Sequence, residues 1–443
     1  MKYVEQIKSL LLAFLVLLSI VFTLLIWNYK PEYETVKETQ IEEVLVGKPK
    51  GIQEVIKPYR LLYRQNEQFY GTVSLKPLED LYSHLSLWQV YEMDLINVDL
   101  SDSKMNEILR KNNRITMFYS EEIPMRVFSN LLSLNDYEIP DASFTRLIID
   151  WSNVEKSSQL QLLFLNTEKR LLYRAYAGVP DKDYFTKKII EPANDYSQYV
   201  EVERDALRSL YVPKDPIKSA RYMYLNEEIQ PDLFKRILFT ELNIVQRNIE
   251  SSQSERFTDG TSLMTVDSQN RIINYVYPTA ESIAPMSSTT LLIDSYNFVN
   301  DHGGFTMDYR LSSMNIGRHS TEYQLFVQGL PVHSNVTTTR LVTTWGENRI
   351  FRYRRPYYSI GTVFQIVQRE LESGEQVVES LRLKNKKLFE ETEEILVGYK
   401  LTQEKTEEDT DVIVLEPRWF AVTNNVWTDL SPEEAGGDEV GLE

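Results

Sequence analysis

The chain has 443 residues, a formal net charge of −17, 65 acidic against 48 basic residues, and no cysteine. An acidic surface repels nucleic acid and anionic polymers at long range, which argues against a DNA-binding or teichoic-acid-binding role. The missing cysteines exclude a disulfide-built scaffold, while 42% hydrophobic residues suffice for packed cores in two or three domains.

The first element is an uncharged run from Ser9 to Trp27. As a helix, its nineteen residues span about 28 Å, close to the roughly 30 Å hydrocarbon core of a bilayer. A cleavable signal has a shorter apolar region and small residues at the cut. This run ends in Ile26, Trp27, Asn28, Tyr29, Lys30 and Pro31, so it reads as a retained anchor. Trp27 and Tyr29 suit the membrane interface, and Lys2 and Lys8 place the N-terminus in the cytoplasm. The expected localisation is a single-pass cell-membrane protein with its main body outside. At 100° per residue Ser9, Ala13 and Thr23 share one side, with Ser19 at its edge. Small residues of this kind let membrane helices approach, although a lipid-facing helix tolerates them too.

Residues 28–50 are charged and read as a stalk, leading to expected domains over 51–205, 206–288 and 289–430. Arg60–Tyr63 and Phe69–Val73 alternate like a hairpin. Helices are expected at Pro77–Leu87, Ser103–Lys111 and Pro124–Leu134. Strands are expected at Ile115–Tyr119, Leu147–Trp151, Gln161–Phe164 and Leu171–Ala175. Prolines 213 and 216 mark a boundary within Val200–Pro216. Further helices are expected at Pro231–Ile249, with apolar residues at helical spacing, at Leu291–Val299 before Gly303-Gly304, and at Val363–Glu372. Residues 431–443 form an acidic tail, expected to be disordered.

An internal echo links Leu263–Pro278 (LMTVDSQNRIINYVYP) to Leu341–Pro356 (LVTTWGENRIFRYRRP), with seven of sixteen positions identical and no gap. Each half reads as strand, polar turn, strand. Part of the identity is ordinary hairpin chemistry, and the remainder points to duplication. The expected fold class is α+β: small antiparallel sheets with packed helices, in three domains, the last two related to each other.

No constellation carries catalysis. His84, His302, His319 and His333 are never at metal-ligand spacing. Ser101-Asp102-Ser103-Lys104 fits S-x-x-K, but no K-T-G follows, and Asp102 or Ser103 could simply cap a helix. No glycine-rich phosphate loop occurs. Cofactors and metals are therefore not expected. Arg349, Arg352, Arg354 and Arg355 cluster among tyrosines, either as a surface for an anion or a partner's acidic face, or as a strand with one solvated side.

Several segments resemble the YycH family of membrane-anchored regulators: KSLLLAFLVLLSIVFTLLIWNYKPEYE at Lys8–Glu34, KNNRITMFYSEEIPMRVF at Lys111–Phe128 and VLEPRWFAVTNNVW at Val414–Trp427. YQLFVQGLPV at Tyr323–Val332 is similar to a piece shared with the sister family YycI. The resemblance implies one transmembrane helix and three extracytoplasmic domains, the last two similar to YycI. It implies action with YycI on the sensor histidine kinase WalK (YycG), which governs cell-wall metabolism, with no catalytic residues. A homo-oligomer is a further option, as are a ligand-binding or peptidase-inhibitor-like module and an unrecognised wall enzyme.

Overall fold

The computed structural model describes residues 14–21, 23, 47–134, 139–406 and 409–431. Ser9 and Ala13 lie outside these residues, as do the stalk to residue 46 and the tail from 432. Residues 14–21 are helical, with Phe14, Leu17 and Ile20 between 52% and 63% exposed. Among the described residues no helix is long and apolar enough to cross a membrane.

Two large sheets dominate, where the sequence suggested several small ones. The first has ten strands in the spatial order Leu210–Pro213, Ser197–Val202, Gln68–Thr72, Arg60–Gln65, Arg114–Pro124, Ser143–Asp150, Gln159–Asn166, Leu171–Gly178, Gln89–Asn97 and Ser133–Leu134. Helix Leu75–Leu85 buries Leu78, Leu81 and Leu85 among its core side chains. Helix Asp102–Arg110 buries Met105 and Leu109 in a second cluster with Leu62, Ile148 and Leu163. Alternation along Arg60–Gln65 therefore serves two cores, Leu61 and Tyr63 facing one and Leu62 the other.

The chain crosses to the second sheet at residues 214–216, between strands Leu210–Pro213 and Ile217–Glu228. That sheet has fourteen strands. Its main path runs Gln246–Ser251, Ser254–Thr258, Leu263–Asp267, Ile272–Val276, Ile350–Pro356, Arg340–Trp345, Ser320–Val327, Leu330–His333, Glu394–Lys405, Asp411–Thr423, Ile217–Glu228 and Tyr358–Leu371. Tyr309–Asn315 pairs with Ser320–Val327, and Val426–Asp429 with Asp411–Thr423.

The sequence echo has a structural counterpart here. The helix Pro231–Leu238 precedes a four-strand meander from Gln246 to Val276. The helix Ser288–Asp301 precedes a second, Tyr309–Asn315, Ser320–Val327, Arg340–Trp345 and Ile350–Pro356, with the short strand Leu330–His333 inserted. The meanders meet at their last strands, and the equivalent residues Tyr275 and Tyr353 stand directly opposite each other. Ile273 faces Arg355, and on the other side Tyr277 N–H donates to Phe351 O at 2.8 Å. This is a local two-fold relation between the two halves.

Three expected helices differ. Val363–Glu372 is instead part of the fourteen-residue strand Tyr358–Leu371, antiparallel to Ile217–Glu228. Its β-branched and aromatic residues suit a pleated surface, and a long partner strand outweighs the helical spacing of Val363, Ile366 and Val367. The helix from Pro231 stops at Leu238, Phe239 is extended, and Gln246–Ser251 is a strand. Val245 still reaches the core, by way of a short 3-10 turn at Leu242–Ile244. Pro124–Leu134 holds only the single turn Met125–Phe128 and a 3-10 turn. The helix Ser288–Asp301 ends as expected: Gly303 and Gly304 adopt φ of +96° and +69°, and Gly304 N–H closes on Val299 O at 2.8 Å. A Cβ at Gly303 would also stand 2.9 Å from the Phe234 ring, so glycine is needed there twice over.

Candidate functional site

The two sheets are bolted together by three charged side chains. Arg60, Phe118 and Arg146 sit side by side on neighbouring strands of the first sheet, in direct register. Directly opposed residues share a face, so both guanidiniums lie over the Phe118 ring, at 4.1 and 4.4 Å. They converge on Glu394, the first residue of a strand in the second sheet. Arg60 Nη2 meets Oε2 and Arg146 Nη2 meets Oε1, each at 2.8 Å. Arg60 Nη1 also donates to Tyr211 O, and Arg146 Nη1 to Tyr119 O and Thr145 O. Burial pushes the Glu394 carboxyl up, but the two arginines overcome it and hold it below the usual carboxylate range.

A cleft opens on each side of this triad. One, of about 450 Å³, has an aromatic wall of Tyr59, Phe118, Tyr211 and Trp427. Glu121 projects into it and accepts from Met314 N–H of the second sheet at 2.9 Å. Burial, with Glu122 and Glu168 nearby, pushes its carboxyl up to about 7. Glu393 is raised for the same first reason, against the opposing charge of Arg208 and a backbone bond from Asn424, with Glu168 and Glu394 adding to the rise. The other cleft, of about 530 Å³, runs past Tyr199, Lys218, Tyr222 and Gln328.

The expected arginine surface does not survive whole. Arg355 is fully buried. Its guanidinium donates to Tyr353 Oη at 2.9 Å, Gly304 O at 3.2 Å and Thr306 Oγ1 at 3.3 Å, and covers the Phe234 ring at 4.4 Å. It ties both duplicated helices to the sheet. The reason is alternation: Tyr353 and Arg355 point inward, so Arg352 and Arg354 point out. Arg349 is exposed in the preceding turn, over the Tyr277 ring at 4.6 Å. Arg355→Ala is expected to cost about 3 kcal/mol by leaving a buried void and unpaired acceptors, against about 0.5 kcal/mol or less for Arg352→Ala or Arg354→Ala. Urea titration of the three variants checks this.

Other sequence candidates are also structural. Ser101 caps its helix by accepting from Lys104 N–H at 3.3 Å, while Lys104 Nζ pairs with Glu107 at 2.7 Å. The S-x-x-K serine and lysine are thus engaged apart from each other. His84 stacks on Tyr184 at 4.7 Å and His333 on Trp427 at 4.0 Å. Among the described residues no three His, Asp or Glu side chains are grouped to hold a metal.

The strand Tyr358–Leu371 ends its sheet, so one side of it is unpaired among the described residues. Val363, Phe364 and Ile366 are exposed, and residues 356–368 carry no charge. Long uncharged edges are uncommon in isolated proteins because they invite another strand.

The fold defines a two-sheet α+β protein whose halves are joined across a buried, charged junction. The YycH protein N-terminal domain matches residues 5–189, and the YycH protein C-terminal domain matches residues 207–434. The chain belongs to the YycH family. It is 21% identical over 439 residues to the "Two-component system WalR/WalK regulatory protein YycH" of Bacillus subtilis (strain 168), covering 95% of each chain. The crystal structure of YycH from Bacillus subtilis superposes with a TM-score of 0.72 at 18% identity, covering 91% of this chain and 99% of that one. That likeness is one of fold.

Proposed function

We propose that the protein is a membrane-anchored, non-catalytic regulator of a WalK-type sensor histidine kinase, acting with a YycI-type sister protein on cell-wall metabolism. The observation that carries this reading is the family match across both halves of the chain, since the Bacillus subtilis relative is named for regulating WalR/WalK. The apolar run Ser9–Trp27 is its anchor, with the N-terminus cytoplasmic and the remainder outside. Regulation then means binding one state of the kinase better than the other, because a partner with equal affinity for both shifts nothing.

Thr23 adds a detail to the helix face. Its hydroxyl donates to Ser19 O at 2.8 Å, one turn back. The polar group is satisfied within the helix, which leaves small, smooth side chains at both positions for a neighbouring helix. With Ser9 and Ala13 they form the proposed contact face. The unpaired strand Tyr358–Leu371 suits an outer contact to the sister protein or to a second copy of the chain.

Co-purification of the full-length protein with the kinase from membranes tests the reading. Wild type is expected to bring the kinase down. Ala13→Leu with Thr23→Leu is expected to reduce capture and shift kinase output. Unchanged capture and output would rule out this face; no capture by wild type would rule out the complex. Phe364→Lys with Ile366→Lys is expected to keep the melting temperature and weaken sister-protein capture.

A further inference from the structure

We propose that the 450 Å³ cleft beside the Arg60–Glu394–Arg146 junction binds a small organic cation with an apolar body, its ammonium groups held between Glu121 and Glu393. The inference rests on the cleft alone and not on the kinase reading.

Six carboxylates line this cleft: Glu121, Glu122, Glu168, Glu322, Glu393 and Glu394. Four are matched by cations of the protein. Glu122 meets Lys169, Glu168 meets Arg208, Glu322 meets Arg340, and Glu394 meets Arg60 and Arg146. Glu121 and Glu393 have no ion-pair partner among the described residues; the charge of Arg208 and the Asn424 backbone N–H offset the burial of Glu393 only in part, since its carboxyl stays raised. Carboxylates withdrawn from water without a cation are costly, and they are kept where something else compensates them. Backbone N–H groups of Glu122 and Met314 satisfy only part of Glu121.

The two unmatched groups come from opposite sides. Glu121 stands on the strand Arg114–Pro124 of the first sheet, and Glu393 immediately precedes the strand Glu394–Lys405 of the second. Both feel the charge of Glu168, so they share one field. A ligand with two ammonium groups would bridge them and hold the sheets at one separation. The walls favour an organic body over a bare ion: Tyr59, Phe118, Tyr211, Phe326 and Trp427 offer ring faces and apolar edges. A metal ion would need a ligand group that the described residues lack. Ser209 adds an independent sign. The residue lines the cleft, is only 8% exposed, and its hydroxyl has no hydrogen-bond partner. The volume suits a molecule of drug size, such as a dipeptide, and not a polymer.

The test is calorimetric titration of the full-length protein in detergent micelles with lysyl-phenylalanine amide, which carries two ammonium groups, one ring and no carboxylate. One molecule per chain is expected to bind with Kd below about 1 mM. Acetyl-phenylalanine amide, with the ring but no charge, is expected to give no binding. Glu121→Gln with Glu393→Gln is expected to weaken the dipeptide amide about tenfold or more. Should the double variant unfold on thermal melting, each single variant is expected to weaken it about threefold. Equal binding of the charged and neutral probes, absence of binding by the charged probe, or undiminished binding by the glutamine variants would overturn the proposal.

Discussion

Replacing Glu394 with glutamine lowers stability by about 3–5 kcal/mol, measured as a fall in the urea midpoint. Among the described residues the carboxylate is the sole anion bonded to both guanidiniums, and Arg60 is 2% exposed. A neutral amide leaves two cations facing each other across the Phe118 ring with no opposing charge. Replacing the whole triad is a different experiment. Arg60→Met, Arg146→Met and Glu394→Leu together remove the desolvation cost along with the attraction, so the triple variant is expected within about 2 kcal/mol of wild type. The pH dependence has a fixed sign. The folded-state carboxyl is depressed, so its stabilisation is complete above the usual carboxylate pKa and is lost as pH falls through the folded value. Acid should therefore loosen the junction, and the glutamine variant should lack that component of the acid transition.

Sequence periodicity read the local elements well where one pattern prevailed. The hairpin Arg60–Thr72, the helix Leu75–Leu85 and the helix Ser288–Asp301 each carry a single period and clear punctuation. The strand Tyr358–Leu371 carries two, since Val363, Ile366 and Val367 fit a helix while its composition fits a strand, and only the partner Ile217–Glu228 decides. The duplication was legible because its turn residues, Asn270-Arg271 and Asn348-Arg349, recur at one spacing. Its consequence, a pairing of Tyr275 with Tyr353, lies in tertiary structure. The junction left no local signal at all. Arg60 and Arg146 lie 334 and 248 residues before Glu394, and each is one of many charges in an acidic chain. The arginine cluster misled for a related reason. Neighbouring charges on a strand alternate between faces, and Arg355 is affordable inside because four oxygens and an aromatic ring meet it there.

Glu121→Gln is expected to stabilise the protein at pH 8 and to leave it unchanged near pH 4. In the unfolded chain the carboxyl titrates near 4.5, and in the folded protein burial lifts it to about 7. The group is raised, so folding favours its protonated form. Below 4.5 both states are protonated and nothing is lost. Between 4.5 and 7 the unfolded chain releases the proton first, and stability falls as pH rises. Above 7 the full penalty is present, about 3 kcal/mol for a shift of this size. Glutamine removes the charge and keeps an oxygen for Met314 N–H. Urea midpoints of the two proteins from pH 4 to pH 8 should start together and diverge through the middle of the range. Parallel curves would mean that Glu121 titrates as it does in water. The same substitution is expected to weaken the ammonium ligand, so one residue should gain stability while losing binding. A residue that merely held the two sheets together would lose both.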